Sequence, residues 1–296
     1  MKSFSFFIVL TLSLVQWSCT PSAEQDQQPF LDEQAISEIT WVAYAPTIFD
    51  PYAGIQPTPE SITQDLKVLA KAGFTGLITY GCDGVLGKEL PQIAEKLGFA
   101  GLILGIWNLN SAEEIANAQK AAKSNLVKGY CVGNEGLGGV YGMNELRAAI
   151  DTVRTLTGKP VTTTEQVEDY ADENLLGLGD WIFPNVHPYW HEQYDNEAAV
   201  KWTVEMYDDL KKRSGKMVLL KEVGFPTAGD DAHHLSEEKQ KEYYVALSSR
   251  PCQFAWFEAF DMTWKTHEPV EPYWGLFKAD RSPKQVTEYL ISKNEK

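Results

Sequence analysis

Two glutamates stand where a pair of carboxylates could act on one bond. Tyr130-Cys131-Val132-Gly133-Asn134-Glu135 is an apolar run that delivers Asn134 and Glu135 into a glycine-containing loop. Leu219-Leu220-Lys221-Glu222-Val223-Gly224-Phe225-Pro226 does the same for Glu222. An isolated glutamate is ordinarily a solvated loop residue or one half of an ion pair. Two of them at the ends of buried strands point instead to glycosidic cleavage, in which one carboxylic acid protonates the departing oxygen and the other carboxylate attacks the anomeric carbon. A retaining reaction places the carboxyls about 5–5.5 Å apart, an inverting one roughly 6.5–9.5 Å.

Such a pair needs a frame. Eight apolar, strand-like runs occupy residues 40–46, 76–81, 101–107, 127–135, 160–166, 181–189, 217–226 and 253–261. Between them lie amphipathic runs with apolar residues at spacings of three and four, such as Ile62, Leu66, Leu69 and Ala70, or Leu146, Ala149, Ile150 and Val153. Gly73, Gly98, Gly158 and Gly215 stand where helices should end, and Ser61, Ser111 and Ser236 near where they should begin. Eight strands alternating with helices imply parallel pairing with buried crossovers. The simplest closure is a single-domain (β/α)8 TIM barrel over residues 39–296. A doubly wound open sheet is the rival, but no glycine-rich phosphate loop follows the first strand. In such a barrel functional side chains come from the C-terminal strand ends, and the fourth and seventh strands, bearing Glu135 and Glu222, face each other across the mouth.

Composition narrows the ligand. With 41 acidic and 26 basic residues the formal net charge is −15, which repels phosphate backbones, so nucleic acid is not an expected partner. A neutral ligand is indifferent to that field, and 9 Trp with 13 Tyr suit the flat faces of sugars. Cys82, Cys131 and Cys252 are odd in number and match no zinc spacing, so they read as small buried hydrophobes, with no metal and no cofactor implied.

The N-terminus reads as a targeting segment. Lys2 precedes an apolar run over residues 4–15, too short to span a bilayer, and residues 1–18 form a signal peptide. Ser18-Cys19 is similar to a bacterial lipoprotein processing site, with ordinary cleavage near Ser22-Ala23 as the alternative. Residues 19–38 are then a flexible tether, and the membrane is touched only through a lipid on Cys19. Both readings place the protein outside the cytoplasm, as a secreted or outer-membrane, cell-surface protein.

Four segments together resemble glycoside hydrolase family 17, the β-1,3-glucanases and glucanosyltransferases. Val132-Gly133-Asn134-Glu135 resembles its acid/base motif and Glu222-Val223-Gly224-Phe225-Pro226 its nucleophile motif. Phe257-Glu258-Ala259-Phe260-Asp261 with Trp264-Lys265, then Pro272-Tyr273-Trp274-Gly275-Leu276-Phe277, resemble the last-strand segments. The resemblance spans residues 41–277. It implies a retaining mechanism on β-1,3-glucan (laminarin-type) without metal, Glu135 as acid/base and Glu222 as nucleophile. It further implies that Asn134 binds the 2-hydroxyl of the sugar and that Tyr189 hydrogen-bonds the nucleophile. Tyr44, Tyr80, Phe225 and Trp274 would belong to the glucose-binding cleft, and Glu258, Asp261 and Lys265 would bind hydroxyls or hold the carboxylates. Ile78 stands where many members have Arg, Met262 where Glu is usual, and Phe225 where Trp is usual. These departures leave chain-length preference and the choice between hydrolysis and transfer open. A glucanosyltransferase is the near alternative; a non-catalytic glucan-binding lipoprotein is the remote one.

Other residues carry two readings. His187 and His191 read as hydrogen-bonding cleft residues in preference to metal ligands, and His233-His234 as solvated. Glu165 reads equally as a cleft contact or an ion-pair member, and Trp107, Trp256 and Trp274 as sugar platforms or core; Trp190 or Trp274 could supply an aromatic acceptor site for transfer.

Overall fold

A computed structural model describes residues 31–295. The signal peptide, the Ser18-Cys19 site and most of the expected tether lie outside these residues. Within the rest of that tether the chain is already folded. Helix α1 (Glu33–Ser37) is capped by Asp32, whose carboxylate accepts from Ala35 N at 3.0 Å. Ile36 is buried, and its carbonyl accepts from Trp41 Nε1 at 3.0 Å. The folded body therefore begins before residue 39, because α1 has an apolar residue to bury against the barrel floor.

Seven strands pair in parallel: β1 (Trp41–Ala43), β2 (Gly76–Ile78), β3 (Gly101–Ile106), β4 (Val127–Val132), β5 (Val161–Thr162), β6 (Leu220–Val223) and β7 (Phe254–Trp256). Their order is β5-β4-β3-β2-β1-β7-β6. The segment 181–187 fills the eighth place. It bridges to the β5 side through Gln166 and Asn185, and to the β6 side through Ile182 with Val218 and Asn185 with Glu222. Lys221 N donates to Pro184 O at 2.8 Å and Val186 N to Glu222 O at 2.8 Å. Pro184 has no N–H to give, so this segment carries bridges where the sequence predicts a regular strand. The ring closes as an eightfold α/β barrel.

Helices α2 (Pro59–Lys71), α3 (Gly84–Lys96), α4 (Ala112–Ala121), α5 (Met143–Thr157), α7 (Asn196–Ser214), α8 (Glu237–Ser248) and α9 (Gln285–Asn294) surround the sheet; α6 (Glu173–Leu176) is one turn. Ser111 and Ser236 cap α4 and α8 as expected. For α2 the cap is Thr58, and Ser61 completes a reciprocal capping box three residues on. Gly158 and Gly215 end α5 and α7 in the left-handed conformation.

The barrel interior is packed with Ile39, Trp41, Ile78, Ile103, Trp181, Phe183 and Leu219. Two indoles fit because neighbouring strands carry no side chain there. A Cβ on Gly76 or Gly101 would lie 2.5 or 2.6 Å from the Trp41 ring, and one on Gly129 2.8 Å from Trp181. This plug closes the barrel below, and the site lies above it.

Candidate active site

The turn after β4 is shaped by glycine. A Cβ on Gly133 (φ +76°) would meet the Tyr141 hydroxyl at 2.3 Å. Two residues on, Glu135 itself adopts φ +49°, a left-handed conformation rare for a side-chain-bearing residue. Its N–H donates to Thr164 O at 3.0 Å, which ties the strained turn to the chain after β5. Glu165 holds the same loop from below. Its carboxylate accepts from Leu137 N at 3.3 Å and from the Tyr141 hydroxyl at 3.0 Å. Glu165 is thus neither a cleft contact nor an ion-pair member.

On β6 a register shift aims the second carboxylate. Leu220 pairs with Phe254 and Val223 with Trp256, so three residue steps stand against two. A strand normally alternates faces, and the extra residue of a bulge breaks that alternation. Consequently Lys221 and Glu222 both reach the barrel interior; they are 1% and 4% exposed.

Both carboxyls face one cleft of about 950 Å³ at the C-terminal mouth. Glu222 Oε1 accepts from Lys221 Nζ at 2.7 Å and Oε2 from His187 Nε2 at 3.1 Å. Burial alone would raise Glu222, but the Lys221 charge and the His187 hydrogen bond outweigh it and hold the carboxylate at about 2. Glu135 is shifted the other way. Desolvation against the cleft wall, then the negative charge of Glu222, push it up, opposed by a hydrogen bond from Asn185. Its Oε1 also accepts from Gln166 Nε2 at 2.7 Å. One carboxylate is held ionised and the other favours its proton, which is the division of labour that acid-assisted nucleophilic displacement needs.

Of the residues singled out in the sequence, Tyr44, Tyr80, Asn134, Glu135, Glu222 and Lys265 line this cleft. Tyr44 contributes its ring, while its hydroxyl donates to Asp65 at 2.9 Å within a buried cluster that includes Arg281. Five others do not line it. Tyr189 follows the turn begun at Pro188, and its hydroxyl donates to Asp230 at 2.6 Å; His187, not Tyr189, contacts Glu222. Phe225 is fully buried against Tyr189 and Tyr243. Trp274 is likewise buried, with its ring centroid 5.2 Å from that of His187, so it supports the histidine. Glu258 is buried with both oxygens on Lys265 Nζ at 2.8 and 2.9 Å, and burial lifts it to about 7 against that partner. Asp261 accepts from Lys284 Nζ at 2.7 Å and Gly275 N at 2.9 Å, fixing the chain behind the site.

Several residues in or beneath the cleft escaped the motif reading. Gln166 and Asn185, amides at adjacent strand ends, grip Glu135. Lys221, a lone amine within an apolar strand, was the legible signal of a buried ion pair. Trp107, weighed as platform or core, and Trp190, weighed as an acceptor-site aromatic, are 58% and 43% exposed and line the cleft. Tyr52 and His267, on the loops after β1 and β7, meet over the cleft at 2.8 Å. His191 turns away and stacks on Trp202 with centroids 4.3 Å apart. Among the described residues no His, Cys, Asp or Glu cluster is arranged to hold a metal, and no helix is long and apolar enough to cross a membrane.

A family model described as the BtgE/BtgC glycoside hydrolase domain matches residues 42–275. The chain belongs to this family. Among curated relatives, the putative glucan endo-1,3-beta-glucosidase btgC of Aspergillus niger is 25% identical over 77% of this chain and 40% of its own length. The chain thus spans about two-fifths of the length of that relative. A family 17 β-1,3-glucanosyltransferase from Rhizomucor miehei shares the fold with a TM-score of 0.68 at 24% identity, covering 84% of this chain and 97% of that one. An endo-laminarinase from Formosa Hel1_33_131 does so with a TM-score of 0.74 at 18% identity, covering 88% of each chain. The family 17 resemblance read from the motifs is borne out, and the BtgE/BtgC domain here is the barrel.

Proposed function

We propose that the protein is a retaining glycoside hydrolase of β-1,3-linked glucan, with Glu222 as nucleophile and Glu135 as general acid and base. The observation that carries this reading is the opposed pair in one cleft: Glu222 ionised between Lys221 and His187, and Glu135 pushed toward its protonated form. In the first step a Glu222 oxygen bonds to the anomeric carbon, the glycosidic C–O bond breaks, and the Glu135 proton goes to the leaving oxygen. Glycosylation removes the charge on Glu222. Glu135, then an anion without that repulsion, takes a proton from water as its oxygen attacks the anomeric carbon and releases Glu222. Trp107 and Trp190 supply apolar faces for sugar rings, and Asn134, beside Glu135, a polar contact. The similarity to the btgC glucan endo-1,3-beta-glucosidase and to the Formosa endo-laminarinase supports β-1,3-glucan as substrate.

Transfer is the second reading, favoured by the exposed Trp190 near the carboxyls and by the Rhizomucor neighbour's name. A sugar hydroxyl held there would replace water in the second step. Incubation with a defined β-1,3-gluco-oligosaccharide, with Glu135→Gln as control, separates the readings. Shorter products support hydrolysis and longer ones transfer. Binding without turnover by the wild type would sink both in favour of a glucan-binding protein. The same proposal places the protein outside the cytoplasm, because residues 1–18 read as an export signal. Mass spectrometry of the mature N-terminus from a native membrane fraction tests lipidation of Cys19.

A further inference from the structure

We propose that Lys221 is a positioning residue for the nucleophile, its ammonium locking the Glu222 carboxylate and the Asn134 amide into one fixed relation beneath the cleft. The inference deepens the reading of Glu222 as nucleophile and rests on it.

Lysine normally keeps its charged head in water. Lys221 cannot, because the β6 bulge sends it inward and it is 1% exposed. A buried ammonium is strongly unfavourable unless paired and hydrogen-bonded, and here every contact leads to the site. Nζ donates to Glu222 Oε1 at 2.7 Å and to Asn134 Oδ1, and it lies 4.4 Å from the centroid of the Tyr80 ring. Two of its three donors are used on the site, and the ring face takes its remaining flank. The contact also fixes the Asn134 amide. With Oδ1 committed to the ammonium, Nδ2 is left as the group to offer the cleft, so Asn134 meets a sugar hydroxyl as a donor.

The groups facing Glu222 come from every neighbouring element. They are Lys221 on its own strand, His187 from the segment 181–187, and Glu135 and Cys131 from β4 and its loop. Tyr80 follows β2 and Glu258 follows β7. Among the described residues Lys221 is the amine in direct contact with Glu222, since Lys265 is committed to Glu258. It acts twice. In the free enzyme it offsets burial and keeps the nucleophile ionised. In the glycosyl-enzyme, where Glu222 is an uncharged ester, the same ammonium favours the Glu135 anion that must act as base.

The test is the pH profile of kcat/KM for Lys221→Met and Lys221→Gln on an oligosaccharide that the wild type cleaves. The acid limb, set by ionisation of Glu222, should move up by about 1–3 pH units, with activity recovering at higher pH. Lys221→Gln keeps a donor for Asn134 without the charge, and should show the same shift even where Lys221→Met does not fold. A pH-independent loss with an unmoved limb would overturn the proposal. Titration of 13C-glutamate-labelled protein by NMR, with the Glu222 signal assigned from Glu222→Gln, reads the same shift without turnover. An inactive wild type would therefore defeat the proposed function, whereas an unmoved Glu222 titration would defeat the role of Lys221.

Discussion

His187 Nε2 lies 3.1 Å from Glu222 Oε2, on the carboxylate oxygen that Lys221 does not hold. An ionised carboxylate accepts hydrogen bonds and donates none, so Nε2 carries the proton and donates it. The ring is held edge-on by Phe257 and Trp274, with centroids 5.0 and 5.2 Å away. His187→Ala removes one of two anchors from a buried anion. A hydrogen bond to a charged group contributes about 1.5–3 kcal/mol, so kcat/KM should fall roughly 10- to 150-fold. Steady-state kinetics, with a melting curve to check the fold, measure it. A loss below threefold would mean that Lys221 alone orients the Glu222 carboxylate.

Two tryptophans that look alike in sequence should behave oppositely. Trp107 is 58% exposed in the cleft, whereas Trp274 is fully buried behind His187. Trp107→Ala should raise KM roughly 3- to 10-fold, as expected for an apolar sugar platform worth about 0.5–1.5 kcal/mol, and leave the melting temperature nearly unchanged. Trp274→Ala should cost about 3–5 kcal/mol of stability through the cavity it leaves. Kinetics and thermal melts of both variants make the comparison; equal destabilisation would contradict it.

The carboxylate pair was legible because each glutamate ends an apolar run, and runs of that length announce barrel strands whatever their exact bounds. What surrounds the pair was less so. Tyr189 and His187 are two residues apart on a predicted strand and should share a face, but Pro188 begins a turn there, and Tyr189 swings to Asp230 while His187 stays on Glu222. Lys221 and Glu222 are adjacent and should face opposite sides; the bulge on β6 brings both inward. Phe225 and Trp274 carry family motifs, yet aromatic rings at a barrel rim serve core and cleft equally, and both went to the core. Period-two reasoning fails at turns and bulges, and this site is built from them.

Glu165 should tie loop stability to pH. Burial lifts its carboxyl to about 7, against roughly 4.3 in an unfolded chain. Between those values the folded state holds a proton that the unfolded state has lost, so this contribution is complete at low pH and disappears as pH rises through 7. Glu165→Gln cannot titrate and lacks that term. Its melting temperature, measured relative to wild type, should therefore climb as pH is raised across the window. A difference that stays constant with pH would show that Glu165 does not titrate there.

The roles of Glu135 and Glu222 should separate by chemical rescue. Glu135→Ala loses the acid, so turnover of a glucan should fall about 10²- to 10⁴-fold. An aryl β-glucan oligosaccharide whose leaving group needs no proton should still glycosylate Glu222. Azide, which needs no base, then attacks the glycosyl-enzyme from the vacated side, and two inversions yield a β-glycosyl azide. Glu222→Ala has no nucleophile. Azide entering its place attacks the aryl β-substrate directly, the aryl oxide leaves from the opposite face, and a single inversion yields the α-azide. NMR of the anomeric proton distinguishes the products. If the two variants gave the opposite anomers, the assignment of acid/base and nucleophile would have to be exchanged; if neither were rescued, a retaining displacement through these two carboxyls would be untenable.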